Sequence, residues 1–318
     1  MCNTWKYPSK KDEEYCPELV DKLPTGLDFI NITGGEPFLR EDIDQIVKKA
    51  LTKTKRLVIS SNGYFTERIT PLFEKFGNQI GIRVSLEGLP AANDELRGIK
   101  NGFDHGLRTL TTLHGMGIKD IGFGITVSDR NVDDMIDLYR LSNAMGLEFA
   151  TATTHNSFYF HTRDNQYKDP NKVAKTFENI AVELLKSNRP KNWFRAYFNM
   201  GLARKVLGQN RSLPCEVGTD MFFVDPGGNI LPCNGSDHAM IMGNLHEQDF
   251  DTIWKSAQAE KVRQMVKTCD KQCWMIGSAA PAMKKRIFVL LKWVAINKFR
   301  VTYNKGQNAC LDPIGPKE

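Results

Sequence analysis

The stretch Phe29-Ile30-Asn31-Ile32-Thr33-Gly34-Gly35-Glu36-Pro37 joins a short β-branched run directly to two glycines and a proline. The run predicts a strand, and the two glycines predict either a tight turn or a loop whose backbone a ligand approaches closely. Two further predicted strands end similarly, in Ser60-Ser61-Asn62-Gly63 and in Ser85-Leu86-Glu87-Gly88. Three such strand ends at one sheet edge favour a shared ligand site over three unrelated turns.

The same alternation of strand and helix continues through residues 28–154. Strands are predicted at 28–33, 56–60, 80–86, 120–127 and 147–153, with helices near 41–53, 66–77, 102–116 and 131–145. A strand–helix repeat of this kind predicts an α/β fold with parallel strands, either an open doubly wound sheet or a barrel-like array. Asn131 is expected to cap its helix, and Pro190 is expected to separate helices near 170–187 and 192–207.

Charge is concentrated at one end of the 318-residue chain. The net charge is +6, and residues 279–318 account for all of it with eight basic and two acidic residues. This distribution argues against a nucleic-acid partner, because a nucleic-acid-binding protein carries its basic residues on the binding fold. The sequence shows neither a signal peptide nor an apolar stretch long enough to span a bilayer, and we expect a cytoplasmic protein.

Four of the seven cysteines share one Gly/Pro-rich segment. They are Cys215, Cys233, Cys269 and Cys273. The last two are four residues apart, a spacing that places two thiolates on one face of a helix. Four thiolates suit Zn²⁺ or an iron–sulfur cluster, and the sequence alone does not choose between them. Cys16 and Cys310 have no partner at ligand spacing.

The order and spacing of these motifs resemble radical SAM enzymes that carry a C-terminal SPASM or twitch-type domain. The three strand ends resemble the GGEP, S-T-N-G and S-L-D-G motifs of that superfamily, with Glu87 in place of Asp. Residues 93–98, Asn-Asp-Glu-Leu-Arg-Gly, resemble its H-D-x-x-R-G stretch. Cys215–x12–Gly228–x4–Cys233 and Cys269–x3–Cys273 resemble parts of the SPASM cysteine pattern.

The resemblance implies a partial (βα)6 TIM-like barrel lacking its first strand. A small Cys-rich C-terminal domain and a basic, apolar helical tail would follow. The implied boundaries are 1–160 for the radical SAM core, 161–211 for a helical connection, 212–278 for the auxiliary domain and 279–318 for the tail.

The resemblance also implies a mechanism and a set of site residues. A [4Fe–4S] cluster would cleave S-adenosylmethionine (SAM), and the resulting 5′-deoxyadenosyl radical would abstract hydrogen from the substrate. The SAM-binding residues implied are Gly34, Gly35, Glu36, Pro37, Asn62, Ser85, Arg97 and Thr126. The four late cysteines would hold one auxiliary [4Fe–4S] cluster.

Cys2 is implied as a ligand of the catalytic cluster. Met1-Cys2-Asn3-Thr4-Trp5 resembles the last part of the family motif C-x3-C-x-φ-C, in which φ is an aromatic or bulky apolar residue. We expect that the two preceding cysteines and the first strand are encoded upstream of Met1. As printed, one thiolate does not hold a cluster that needs three.

Partners and alternatives follow from the same reading. The family implies an electron donor of the flavodoxin or ferredoxin type. It also implies a peptide or small-molecule substrate, and His155 and His161 are weak candidates to contact that substrate.

Three interpretations of the tail are a helix docked on the barrel, a peripheral membrane contact through 279–318, and a partner-binding segment. Alternative functions are a zinc-stabilised nucleotide-binding module and an inactive paralogue or fragment.

Overall fold

The computed structural model describes residues 2–10, 13–236, 238–303 and 311–314. In these residues, five parallel strands lie side by side in chain order. They are β1 Ile30–Ile32, β2 Leu57–Ser61, β3 Ile80–Ser85, β4 Ile121–Val127 and β5 Glu148–Thr153. All five strands were predicted, and the α/β partial-barrel class is confirmed. Because the strands are parallel, their carboxyl ends share one edge, where ligands bind in such folds.

Helices connect the strands. They are α1 Ile43–Leu51, α2 Thr66–Phe76, α3 Pro90–Arg97, α4 Gly102–Gly115, α5 Met135–Ala144, α6 Pro170–Lys186 and α7 Pro190–Val206. The sequence analysis missed α3, because Asn93 is its one buried residue and no apolar stripe marks it. Pro190 is the first residue of α7 rather than a residue between helices. Proline is favoured at that position, where its missing N–H costs no helical hydrogen bond.

The two faces of the sheet differ in side-chain size. The face toward the helices is mostly buried and mostly apolar, with Ile59, Ile82 and Phe123 in the main core. On the opposite, concave face, Gly124 lies between Ser85 and Ala150 in the strand register. These small residues leave room for a ligand on the concave side.

Ion pairs close the amino-terminal end of the half-barrel. Asp120 accepts hydrogen bonds from Arg56 at 2.7 Å and from Arg83 at 2.6 Å. Burial acts to raise the pKa of Asp120, but the two guanidinium groups outweigh it and hold the pKa well below its usual range. Glu148, at the start of β5, pairs with Lys191 and Arg195 of α7. This end of the fold therefore serves stability, since ligands bind at the other end.

Residues 212–275 contain a small unit built around a second core, to which Leu19 also contributes. Its antiparallel sheet consists of β6 Phe223–Val224, β7 Asn229–Leu231 and β8 Gly243–Asn244, followed by α8 Phe250–Trp254 and α9 Ala257–Lys267. Residues 268–275 are not helical, and Gln272 has a φ of 45°. The expectation that Cys269 and Cys273 share a helical face is therefore wrong, because α9 ends before both.

The tail forms α10 Ile276–Lys285 and α11 Ile287–Tyr303. Leu290, Trp293, Val294 and Asn297 of α11 are buried, and Lys298 donates to the carbonyls of Leu185 and Ser187. The described part of the tail is thus docked on the rest of the protein, as the first of the three interpretations predicted. Cys310 lies outside the described residues. Within the described ranges, no helix is long and apolar enough to cross a membrane.

Candidate active site

The Gly34–Pro37 turn follows β1 and is tied to the end of β2 by Glu36. The Glu36 carboxylate accepts hydrogen bonds from Ser61 Oγ at 2.8 Å and from the backbone N–H of Asn62 at 2.7 Å. Burial raises the pKa of Glu36, and these hydrogen bonds oppose the rise. Glu36 therefore holds two strand ends together, a role that the sequence analysis did not foresee.

The two glycines of this turn border open space. A Cβ placed on Gly34 or on Gly35 would meet no described protein atom within 4 Å. Packing within the protein therefore does not explain the absence of side chains here. The turn is exposed, and its backbone groups are open to the close approach of a ligand.

An ion pair lies at the end of β3. Glu87 Oε1 accepts from Arg97 Nη2 at 2.9 Å, and its Oε2 accepts from the backbone N–H of Thr126 at 2.7 Å. Burial raises the pKa of Glu87, and the Arg97 charge opposes the rise. Arg97 Nε is buried and has no hydrogen-bond partner among the described residues. This orphaned donor is where a ligand oxygen would fit.

The remaining predicted SAM residues lie along the same edge. Ser85 is the last residue of β3, and Thr126 is the penultimate residue of β4. Asn62 Oδ1 accepts from the backbone N–H of Tyr64 at 2.8 Å. The structure thus brings these residues together with Glu36 and Arg97 at the carboxyl ends of neighbouring strands.

Asn131 stabilises this edge instead of capping its helix. It precedes the 3-10 turn Val132–Asp134, but its side chain makes no capping hydrogen bond. Its Nδ2 donates to the carbonyls of Glu87 and Thr126, at 2.7 and 3.0 Å. The capping prediction is wrong because the side chain joins the β3 and β4 loops.

A loop after β5, residues 155–162, contacts both the amino terminus and the cysteine-rich unit. Asn3, next to Cys2, donates to the carbonyls of Phe160 and His161, each at 2.9 Å. On the other side, Ser157 Oγ donates at 2.6 Å to the carbonyl of Asn234, next to Cys233. His161 itself is exposed and stacks on Tyr7, with ring centroids 4.0 Å apart. One loop therefore connects the segments of two predicted cluster ligands.

His155 and Lys205 occupy the end of β5. Burial, with a smaller contribution from the Lys205 charge, lowers the pKa of His155 to about 4. Its Nε2 is buried without a hydrogen-bond partner in the described chain. Lys205 donates to Thr153 Oγ1 and to the carbonyl of Thr154, and burial lowers its pKa to about 8. The sequence analysis did not single out Lys205, because nothing in the pattern of α7 marks it.

The four late cysteines converge. Cys215, Cys233 and Cys269 are each close enough to Cys273 for their charges to raise its pKa, although burial raises it most. All four thiols are free. Among the described residues, no three His, Cys, Asp or Glu side chains are already arranged as metal ligands. The donor set fits a tetrathiolate cluster, and binding requires the thiols to close in.

Arg211 and Trp274 organise the cysteine site, and the sequence analysis missed both. Arg211 donates to the carbonyls of Leu213, Cys273 and Ser278, and its guanidinium lies 4.9 Å from the centroid of the Trp274 ring. Trp274 is buried, and its Nε1 donates to the carbonyl of Phe198 at 2.9 Å. These contacts join Cys273 to α7 and to the segment just before Cys215.

The residues present do not complete the catalytic cluster. Cys2 is exposed, and its Sγ lies 2.9 Å from Thr4 Oγ1. The family motif needs three thiolates, and this sequence supplies one of them at its position. No step of the chemistry is derived through that cluster.

Comparison with known proteins gives the family of both parts of the chain. Residues 1–142 match the radical SAM superfamily, and residues 215–275 match the SPASM iron–sulfur cluster-binding domain. This chain therefore contains a radical SAM domain and a SPASM domain. The radical SAM domain implies SAM and a [4Fe–4S] cluster as cofactors, and the SPASM match favours iron–sulfur over zinc at the four cysteines.

Relatives and solved structures agree with this assignment. The chain is 34% identical to the Fe-coproporphyrin III synthase of Methanosarcina barkeri over 42% of this chain and 36% of that protein. It is 24% identical to the mycofactocin maturase MftC of Mycolicibacterium smegmatis over 79% of this chain and 64% of that protein. Streptococcus suis SuiB with bound SAM has the same fold, with a TM-score of 0.58, 16% identity, and coverage of 77% and 61%. This radical SAM chain thus spans less than two thirds of each of these proteins.

Proposed function

We propose that this chain is part of a radical SAM enzyme that binds SAM at the mouth of the half-barrel and one auxiliary [4Fe–4S] cluster at the four late cysteines. The observation that carries the proposal is that one edge of the sheet has both an open turn, Gly34–Gly35, and an orphaned buried donor, Arg97 Nε. Both lie at the strand edge where parallel α/β folds bind ligands. The family assignment supports SAM as that ligand.

Each residue of the mouth has a role in the proposal. The carbonyl groups of Gly34 and Gly35 accept from the amino group of SAM, and Glu36 holds the turn against β2. Arg97 donates from Nε to the carboxylate of SAM while its Nη2 stays on Glu87. Ser85, Asn62 and Thr126 border the ribose and adenine. With one electron from a complete catalytic cluster, SAM would supply methionine and a 5′-deoxyadenosyl radical able to remove hydrogen from a substrate.

A peptide is the proposed substrate class. SuiB has been solved with its precursor peptide SuiA, and MftC is named a maturase, so relatives of this fold act on peptides. In this chain the loop 155–162 contacts the segment next to Cys2 and the segment next to Cys233. His155 and His161 of this loop are the proposed substrate contacts. A small flavodoxin- or ferredoxin-type protein is the proposed electron donor.

A peripheral membrane contact through 279–318 remains a proposal, and the structure narrows it to the outer face of α11. Phe288 is 82% exposed, and Val289, Leu291 and Ile296 are exposed beside it. Most basic residues of the tail are engaged within the protein, including Lys285 and Arg286 with Glu216. Sedimentation with anionic vesicles tests this face: Phe288→Ser with Leu291→Ser abolishes binding if the proposal holds, and binding equal to wild type contradicts it.

Anaerobic reconstitution with iron and sulfide tests the main proposal. The chain is expected to bind about four irons at the auxiliary site, with absorbance near 400 nm, and Cys233→Ala with Cys273→Ala is expected to lose them. A colourless, zinc-containing protein would favour the zinc-stabilised module instead. The test of activity uses the chain extended upstream of Met1 so that C-x3-C-x-φ-C is complete. Release of 5′-deoxyadenosine from SAM is expected, and its absence in an iron-loaded extended chain would indicate an inactive paralogue.

A further inference from the structure

Two largely buried cations lie beside the four late cysteines without a carboxylate partner. Neither Lys205 nor Arg211 forms an ion pair with Asp or Glu in the described part of the chain, although this protein has many such pairs elsewhere. A buried charge without a counter-charge is costly to keep. The structure therefore raises the question of which anion balances these two groups.

Lys205 lies on α7 one turn after Gly201, where the helix packs against Trp274, the neighbour of Cys273. Its hydrogen-bond acceptors, Thr153 Oγ1 and the carbonyl of Thr154, are neutral. Burial raises the pKa of the Cys273 thiol, and the Lys205 charge opposes the rise. Lys205 is thus placed between the carboxyl end of β5 and one predicted cluster ligand.

Arg211 contacts the backbone of the cysteine site directly, because it donates to the carbonyl of Cys273. Its acceptors are also neutral, namely the carbonyls of Leu213 and Ser278 at 2.7 Å and the Ser278 hydroxyl at 3.1 Å. Its Nη2 also donates to the carbonyl of Pro214, the residue before Cys215. Both cations therefore lie close to the cysteine site, and neither has a carboxylate partner in the described part of the chain.

We propose that Lys205 and Arg211 are the charge-balancing pair of the auxiliary cluster and that they raise its reduction potential. This inference rests on the proposed function, because it takes the four cysteines as cluster ligands. A tetrathiolate iron–sulfur cluster is an anion, and adding one electron makes it more negative. Nearby cations stabilise the reduced form more than the oxidised form, and net charge around a cluster is one of the quantities that set its potential.

The two residues differ in what else they do. Arg211 also fixes the backbone of Cys273, so its replacement would disturb ligand geometry as well as charge. Among the described residues, the Lys205 ammonium group makes its hydrogen bonds at the end of β5, and its charge is therefore separable from the fold of the cysteine site. Lys205 is therefore the residue to test.

The test is a redox titration of the full chain carrying Cys2→Ala, so that the signal comes from the auxiliary site alone. After anaerobic reconstitution, dithionite reduces the cluster by one electron, and electron paramagnetic resonance follows the reduced form against potential. The variants are Lys205→Met, Lys205→Arg, and Lys261→Met as the matched control. Lys261 lies on α9 of the same unit, but it is exposed. Lys261→Met therefore removes the same positive charge from a position where solvent screens it.

Lys205→Met is expected to lower the ratio of reduced to oxidised cluster about tenfold at a fixed potential, which is about 59 mV for a one-electron couple. The reduction potentials of the Lys205→Arg and Lys261→Met variants are expected to stay close to that of the parent chain. Equal potentials in Lys205→Met and Lys261→Met, with normal iron content, would overturn the inference while leaving the proposed function intact. A parent chain that binds no iron would instead contradict the proposed function itself.

Discussion

Arg97 donates to Glu87 across 2.9 Å, and the Glu87 side chain is only 4% exposed. The pair connects the end of α3 to the loop after β3, and Glu87 also holds the backbone of Thr126 on β4. Two hydrogen-bond donors therefore converge on one buried carboxylate. The family pattern has Asp at this position, and the longer Glu reaches both partners here.

Replacing Arg97 with Met should destabilise the fold and weaken SAM binding. The loss leaves Glu87 as a buried carboxylate without its cation, a change that costs about 3–5 kcal/mol in comparable pairs. Urea unfolding measures the stability, and calorimetric titration with SAM measures the binding. Adding Glu87→Gln to Arg97→Met removes the stranded charge and should recover much of the stability but none of the affinity. Recovery of both would mean that Arg97 acts on SAM only through the fold.

Gly35→Ala should leave stability unchanged and impair SAM binding. The new Cβ would meet no described protein atom within 4 Å, so the folded protein has room for it. If SAM lies against this backbone, the methyl group occupies ligand space, and we expect a loss of affinity of about tenfold, or about 1.4 kcal/mol. Gly115→Ala is the matched control, because its Cβ also meets nothing and it lies at the end of α4. Equal affinity in both variants would contradict a ligand at the turn.

The strands and most of the residues at their carboxyl ends were predictable because local patterns specify them. A β-branched run followed by Gly34-Gly35 marks a strand end regardless of the rest of the chain, and the parallel arrangement follows from the strand–helix repeat. The motif order then predicted which residues would contact SAM at this edge. The direction of each side chain was not predictable, so Asn131 was expected in a capping role that its hydrogen bonds do not match, and the bonds from Glu36 to the end of β2 were not foreseen.

The missed residues depend on contacts between distant segments. Lys205 interacts with Thr153 and Cys273, and Arg211 interacts with Cys273 and Ser278. The partners in these pairs are 52 to 68 residues apart in the sequence, and no local pattern encodes such contacts. The same limit applies to Cys269 and Cys273. Their spacing suits a helix, but α9 ends at Lys267 and the pair lies in irregular backbone.

Gly201→Ala should reduce the iron content of the auxiliary site. Gly201 lies in α7, and a Cβ there would sit 2.1 Å from the Nε1 and Cε2 atoms of Trp274. The Trp274 ring is buried and must move, which costs about 1–3 kcal/mol for overpacking and shifts the adjacent Cys273. Iron per chain after reconstitution measures the effect, with Gly115→Ala again as control. Unchanged iron content would mean that the position of Trp274 does not set that of Cys273.

Lowering the pH from 7 to 5 should destabilise the protein through His155. Its pKa in the folded protein is about 4, below the ordinary value of 6.5, because the buried imidazole resists protonation. Between these two values the unfolded chain takes up a proton that the folded chain does not, so stability falls as the pH falls through this window. From pH 6.5 to 5 the expected loss is about 2 kcal/mol. Urea unfolding at pH 6.5 and pH 5 measures the free energy of unfolding. The His155→Gln variant should lose less stability than the parent chain, by about that amount, because its side chain does not titrate. An equal loss in both proteins would place the pH sensitivity in other groups and would argue against a neutral, buried His155 at the end of β5.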